Sequence, residues 1–351
     1  MDENHFDRLP DDLLRSIFNK VLDAKTLCQC LSVSKRFASL VPQTDTVSLA
    51  VSPRTSRPTI PKPTGFLRSL INKFITKPLR FLHHIVVPSS AASPDSEDDP
   101  YGLPNEVFKS FSDIQSLCIQ LPCHGGEFGS DGGDSLLKWK AEFGSEIESC
   151  VILGATSFQR NHKPSPNTII INGKEREEQR GDEHEQSESE SLFSNDELKL
   201  RVVWTISCLI AASARHYLLN KLVKEHPNLR NAVITDASGQ GRLCMRDEQI
   251  VEMRNSAESS ATTLERTQVP ALKMKLWYVP ELELPAAGRV MKGATLVVIR
   301  AVNGVKRVGS AGDLLEGAFE GEEEEKVLGE AVREMIKKKE KRTYTMEMDS
   351  F

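Results

Sequence analysis

The stretch from Leu9 to Pro42 constrains this chain more than any other part of it. Pro10 stands where a helix tolerates proline, in the first turn, and Asp11 and Asp12 complement the positive end of the helix dipole. Leu13, Leu14, Ile17, Phe18 and Val21 then recur three and four apart, which makes one side of about three turns apolar. Asp23 ends that run and is placed to cap a second short helix carrying Leu27 and Leu31. A third helix, with Val33, Phe37, Leu40 and Val41, stops at Pro42. Three such helices enclose little core, since chains below about 40 residues rarely stand alone. Part of their apolar surface is therefore expected to be left for a partner.

The order Leu9-Pro10-x-x-Leu13-Leu14, Ile17-Phe18, Leu27, Leu31-x-Val33-Ser34-Lys35-Arg36-Phe37 resembles an F-box. The resemblance implies docking on the Skp adaptor of an SCF-type ubiquitin ligase, and through it a link to cullin and RING subunits. It names Leu9, Pro10, Leu13, Ile17, Leu27, Val33, Lys35, Arg36 and Phe37 as adaptor-facing residues. Phe37 stands where many F-boxes carry Trp; it keeps the aromatic wedge and lacks the indole donor.

With 351 residues there is chain for two or three domains, of which the F-box is the first tenth. The formal net charge of −5 gives no electrostatic footprint for nucleic acid, so a protein partner is expected. The acidic start, Met1-Asp2-Glu3-Asn4-His5, is unlike a secretory signal, and the seven scattered cysteines are an odd number, several of them in apolar runs. A location in nucleus and/or cytoplasm is the expectation. The most apolar run, Val202 to Ala214, is shorter than the roughly 20 residues a membrane span needs and reads as a buried helix.

Residues 46–104 read as a linker with four prolines between 50 and 65 and a basic amphipathic helix near 66–77. That helix, with the run to Val87, suits packing beside the F-box or on the next domain, with a membrane surface or a calmodulin-type target as the other reading. Strand-like runs follow at 111–121, 147–153, 229–234, 274–279 and 294–300, with one long helix from Glu197 to His226 ended by Pro227. The first three resemble leucine-rich-repeat strands without a strict period. The fold class expected is α+β: a three-helix F-box (1–45), then an irregular leucine-rich-repeat-like α/β substrate-recognition domain (105–302). Its insert 174–196 reads as disordered, being Glu, Gln, Ser and Arg with few apolar residues. Residues 303–351 read as a charged tail with a short helix, whose end, Lys337 to Arg342, suits either a nuclear signal or simple dipole complementation.

Trp139 to Ser145, Cys150 to Gly154, Leu198 to Ile206, Arg215 to Leu218, and Thr235-Asp236 with Gly239-Gln240-Gly241 are similar to segments of the plant auxin up-regulated F-box group. That resemblance implies a non-catalytic substrate-recognition subunit with a place in auxin responses, and leaves the substrate unknown. The other reading is an adaptor-binding scaffold or competitor that does not direct ubiquitin transfer. Catalytic patterns are missing: Gly239-Gln240-Gly241 lacks a dinucleotide context, and no nucleophile elbow occurs. Cys118, Cys123, His124 and Cys150 lack a Cys-x-x-Cys knuckle, so no metal or cofactor is expected. Recognition is expected in loops after strands, at Asp236 to Arg242 and Gly125 to Asp134, on a domain that should keep its client when residues 1–45 are removed.

Overall fold

The computed structural model describes residues 5–51, 107–122, 135–160, 195–259, 270–302, 315, 319 and 323–349. The 66–77 helix, the 125–134 turn and the 174–194 part of the insert lie outside them.

Three helices open the chain: α1 (Asp11–Val21), α2 (Ala24–Leu31) and α3 (Lys35–Leu40). The Asp23 side chain accepts from the Thr26 amide at 2.9 Å, and the Ser34 hydroxyl accepts from the Phe37 amide at 3.1 Å, so α2 and α3 start on side-chain caps. Leu22 joins α1 to α2 at φ 60°, a backbone region that L-residues other than Asn and Asp seldom adopt. Its carbonyl accepts from the Ser48 amide at 2.7 Å, which ties this tight junction to the first strand.

The strands are β1 (Thr46–Ala50), β2 (Ser116–Leu121), β3 (Leu136–Phe143), β4 (Ile147–Ala155), β5 (Ser157–Arg160), β6 (Asn231–Asp236), β7 (Gly241–Met245), β8 (Leu272–Leu284), β9 (Arg289–Ala301) and β10 (Arg342–Met348). They form one mixed sheet in the order β1-β2-β6-β7-β3-β4-β9-β8-β10, with β5 pairing the start of β9. β1 with β2, β2 with β6 and β3 with β7 are parallel; the other pairs are antiparallel.

This topology corrects the repeat-like reading. A leucine-rich repeat stacks successive strands in parallel, whereas β3 and β4, β6 and β7, and β8 and β9 are antiparallel neighbours here. The apolar spacing that suggested repeats is the ordinary alternation of half-buried strands.

Alternate residues across the sheet project into a core shared with α1, α2, α4 (Asn195–Glu225) and α5 (Asp247–Ser259). α4 buries Trp204, Cys208, Leu209, Ala212, Leu219 and Leu222, spaced largely three and four apart, each large side chain giving roughly 1.5–3 kcal/mol of transfer free energy. Among the described residues it is the one helix whose length and composition would allow a membrane crossing. Its buried Arg201, Arg215 and His216, all used within the protein, and its place in the core make it the sheet's covering helix. On the opposite face α6 (Glu323–Lys337) sets Leu328, Ala331, Val332 and Met335 over Leu153, Trp277, Val279, Met291 and Leu296.

Two boundaries need correction. Residues 46–50 begin the sheet instead of a linker, and Leu14, Phe18, Leu27 and Leu40 share a core with Val47, Leu117 and Ile119. The amides of Gln115 and Ser116 donate to the Asp45 carbonyl at 2.7 and 2.9 Å, and Asn19 Oδ1 accepts from the Asp45 amide at 3.1 Å. Removing residues 1–45 would strip that core bare, so the N-terminal helices are not a severable module. Residues 323–349 are likewise no tail, because α6 packs on the sheet and β10 extends it beside β8. Lys338 Nζ donates to the Glu281 carbonyl at 2.8 Å, and Lys341 Nζ donates to the carbonyls of Ile336 and Lys338, so part of the basic cluster closes the α6–β10 turn.

Candidate docking site

On α1, Leu13 and Ile17 lie one turn apart and are 52% and 41% exposed, while Val33 in the α2–α3 turn is 66% exposed. Pro10 and Lys35 are also exposed, and Leu9 is half-buried. Large apolar side chains left in water beside each other are what a docking surface requires. Leu14 and Phe18, on the other side of α1, are buried in the core, so the helix spends one face on folding and the other on solvent.

Arg36 holds this surface in shape. Its Nε donates to Asp11 Oδ1 at 2.8 Å, and its two terminal nitrogens donate to the carbonyls of Phe6 and Leu9 at 3.1 and 2.5 Å. The α2–α3 turn is thereby fastened beside the start of α1. Phe37 packs edge-to-face on Phe18 and Phe6, with ring centroids 5.1 and 5.8 Å away. Phe6, which lies outside the Leu9-to-Phe37 pattern, is 48% exposed and extends the apolar surface upstream of Leu9.

Leu27 does not belong to this surface. It is 0% exposed, so no partner can touch it without unfolding α2, and its place in the pattern reflects packing. Leu27→Ala should lower stability by about 2–5 kcal/mol, the usual cost of a buried Leu cavity, with adaptor affinity unchanged where the protein remains folded. A calorimetric scan and an adaptor titration of the same sample separate the two effects.

A second cluster gathers residues far apart in sequence. The Arg215 guanidinium lies 4.4 Å from the centroid of the Trp139 ring and donates from Nη2 to Asp236 Oδ2 at 2.6 Å. Asp236 also accepts from Ser238 Oγ and from the amides of Gln240 and Gly241, at 2.6, 2.8 and 2.9 Å. Burial pushes the Asp236 carboxyl up, but Arg215 and these hydrogen bonds outweigh it and hold it below the usual range. Gly241 is required here, because a Cβ would come within 2.2 Å of the Trp139 ring and 2.4 Å of Arg215. Lys138 Nζ donates to the Gly239 carbonyl at 2.9 Å. The Asp236–Arg242 turn therefore satisfies its polar groups internally and presents Ala237 to Gly239 as an exposed tip.

His216 sits one residue on, its ring stacked on Phe143 with centroids 4.6 Å apart and its Nε2 2.9 Å from the Gly144 carbonyl. Burial lowers its pKa to about 4 against the opposing pull of that hydrogen bond, so it is neutral and Nε2 donates. The unfolded residue titrates at about 6.5, so between the two values the unfolded chain binds the extra proton and stability rises with pH. That contribution, roughly 3 kcal/mol, is complete above the unfolded pKa and lost as pH falls toward 4. Melting temperatures across that window should show the slope, and His216→Gln should flatten it; an unchanged slope would assign the proton elsewhere.

Catalytic and metal chemistry finds no centre among the described residues. Cys118 and Cys150 project to opposite faces of the sheet and cannot share a metal, while Cys123 and His124 lie outside the described residues. Burial pushes the Cys150 thiol up to about 12, which leaves it protonated. Among the described residues no three His, Cys, Asp or Glu side chains converge as metal ligands.

An F-box-like domain matches residues 6–46, the three helices with their exposed apolar set. An F-box protein of Arabidopsis thaliana, At4g18380, is 40% identical over 99% of this chain and 94% of its own. The chain belongs to the plant F-box proteins. This F-box protein is also 34% and 33% identical to the Arabidopsis thaliana F-box proteins AUF2 and AUF1, over 99% of each chain, which places it with the auxin up-regulated group. No solved structure matches it. The segments that carried the resemblance include Trp139, Arg215, Asp236 and Gly241, which the fold brings into a single cluster.

Proposed function

We propose that this F-box protein is the substrate-recognition subunit of an SCF-type ubiquitin ligase, joining the Skp adaptor, and through it cullin and RING subunits, to a protein client. The observation that carries this reading is the exposed apolar set Pro10, Leu13, Ile17 and Val33, braced by Arg36 and built on a core continuous with the sheet. Leu9, Lys35 and Phe37 complete the adaptor surface. That continuity gives the mechanism its physical content: a client bound on the sheet is held at a fixed orientation to the ligase, which raises its effective concentration at the charged ubiquitin. Bond-making is left to the other subunits, and no cofactor or metal is required. Nucleus and/or cytoplasm is the location that fits this role, and the names of AUF1 and AUF2 support a place in auxin responses.

The scaffold or competitor reading differs in one measurable respect. In plant cells treated with a proteasome inhibitor, wild-type protein should accumulate ubiquitylated proteins in its immunoprecipitate, and a full-length Leu13→Asp/Ile17→Asp variant should not. Equal ubiquitin signal in both would sink the receptor reading.

A further inference from the structure

The sheet is covered unequally. On the face opposite α4, the cluster under α6 takes in Trp277 and Leu282 of β8, Leu296 of β9 and Leu153 of β4, while the polar residues toward the C-terminal end of β9 belong to neither core cluster. Strand register aligns Glu142, Ser149, Arg300, Lys273 and Glu347 in one cross-strand row on this face. The next row runs from Arg242 and Lys140 through Val151 and Val298 to Lys275.

The charges on this patch do not balance. Lys140 has Glu142 at 3.5 Å, Arg242 has Glu325 at 3.4 Å and Lys273 has Glu347 at 3.1 Å. Lys275 has no carboxylate partner among the described residues, and its Nζ lies 5.0 Å from the centroid of the Trp277 ring.

Arg300 is the decisive group. Its Nε and Nη2 are withdrawn from water and have no hydrogen-bond partner among the described residues, although Ser149 and Lys273 flank it in the ladder. Nη1 is not among the withdrawn atoms and the residue as a whole is only partly buried, so the guanidinium can be approached from outside at that nitrogen. A cation with donors removed from water and left unpaired is costly, and a carboxylate brought against Nη1 would offset part of that cost by charge attraction.

We propose that this face, centred on Arg300, receives an acidic segment of a client polypeptide. The inference rests on the receptor reading and names its substrate class. Acidic protein fits better than nucleic acid, because the patch offers no exposed aromatic platform for bases among the described residues, Trp277 being buried, and the chain is acidic overall.

The test uses the full chain bound to the Skp adaptor and a fluorescein-labelled Glu-rich peptide, with the Gln-substituted peptide and a single-stranded DNA oligonucleotide as controls. The Glu peptide should bind, more weakly as salt is raised. Arg300→Gln should weaken it about tenfold, as loss of a charge-assisted pair implies, and Lys273→Glu/Lys275→Glu, at exposed positions, by at least as much. Equal binding of the Glu and Gln peptides, wild-type affinity in both variants, or tighter binding of DNA overturns the proposal. So does a roughly tenfold gain on deleting Asp95 to Asp99, which would make the chain's own acidic run the occupant. Adaptor co-purification is read on the same samples: its absence in the wild type defeats the receptor reading, while its presence without peptide binding defeats only this inference.

Discussion

Leu13→Asp combined with Ile17→Asp should abolish co-purification with the Skp adaptor while leaving the protein folded. Both residues are exposed in the free protein, about half of each lying in water, and neither belongs to the core, so the substitutions remove little that folding uses. At an interface the balance reverses, because two carboxylates would be desolvated where apolar anchors belong, and a few such anchors carry most of the binding energy. A combined cost of roughly 4 kcal/mol or more corresponds to about a thousandfold loss of affinity. Titration against purified adaptor measures it, and a thermal scan should place the variant within a few degrees of wild type. Leu9→Ala with Pro10→Ala tests the same surface at its upstream end and should also weaken it. Retention of adaptor by both variants would show that this apolar set serves something else.

Arg215→Met should be the most destabilising single change in the second cluster. It leaves the Asp236 carboxylate buried without its cation, and breaking a buried pair on one side costs about 3–5 kcal/mol. For a chain of this size that means a fall in melting temperature of roughly 10 °C. Arg215→Met with Asp236→Asn should recover part of the loss, since it removes both charges together. If the double variant is as unstable as the sum of the singles, the two residues are not coupled and the cluster is mere packing. The acid response has a definite sign as well. Burial raises the Asp236 pKa, yet Arg215 and the turn's hydrogen bonds bring it below the ordinary value, so its contribution to stability is present above the unfolded carboxylate range. It is lost as pH falls through the lower folded value, so Asp236→Asn should reduce the acid sensitivity that remains after His216 has titrated.

Short-range patterns told a good deal. The cap at Asp23, the three N-terminal helices and the long helix ending before Pro227 depend on neighbours within a few residues, and they are where the spacing put them; the cap at Ser34 is as local but went unread. β10, α5 and β1 were not legible in that way. Arg342-Thr-Tyr-Thr-Met-Glu-Met348 alternates, but charge and length made it look like a tail until β8, far upstream in sequence, supplied a partner at Lys273 and Lys275. The leucine-rich-repeat resemblance failed for the same reason: alternation marks a half-buried strand and says nothing of which strand lies beside it or in which direction it runs.

The docking surface divides along the same line. Sequence alone supplied the apolar positions of the N-terminal helices, because period and capping are local properties of a chain. Only the tertiary structure decided that Leu27 belongs to the core while Leu13, Ile17 and Val33 face water, because burial depends on what the rest of the chain sets against each helix. It also decided that Trp139, Arg215, Asp236 and Gly241 meet, and that Arg300 stands on the α6 face of the sheet, outside both core clusters, with two nitrogens unmatched among the described residues. Those contacts join residues dozens of positions apart, and the free energy that selects them comes from closing the whole sheet over one core.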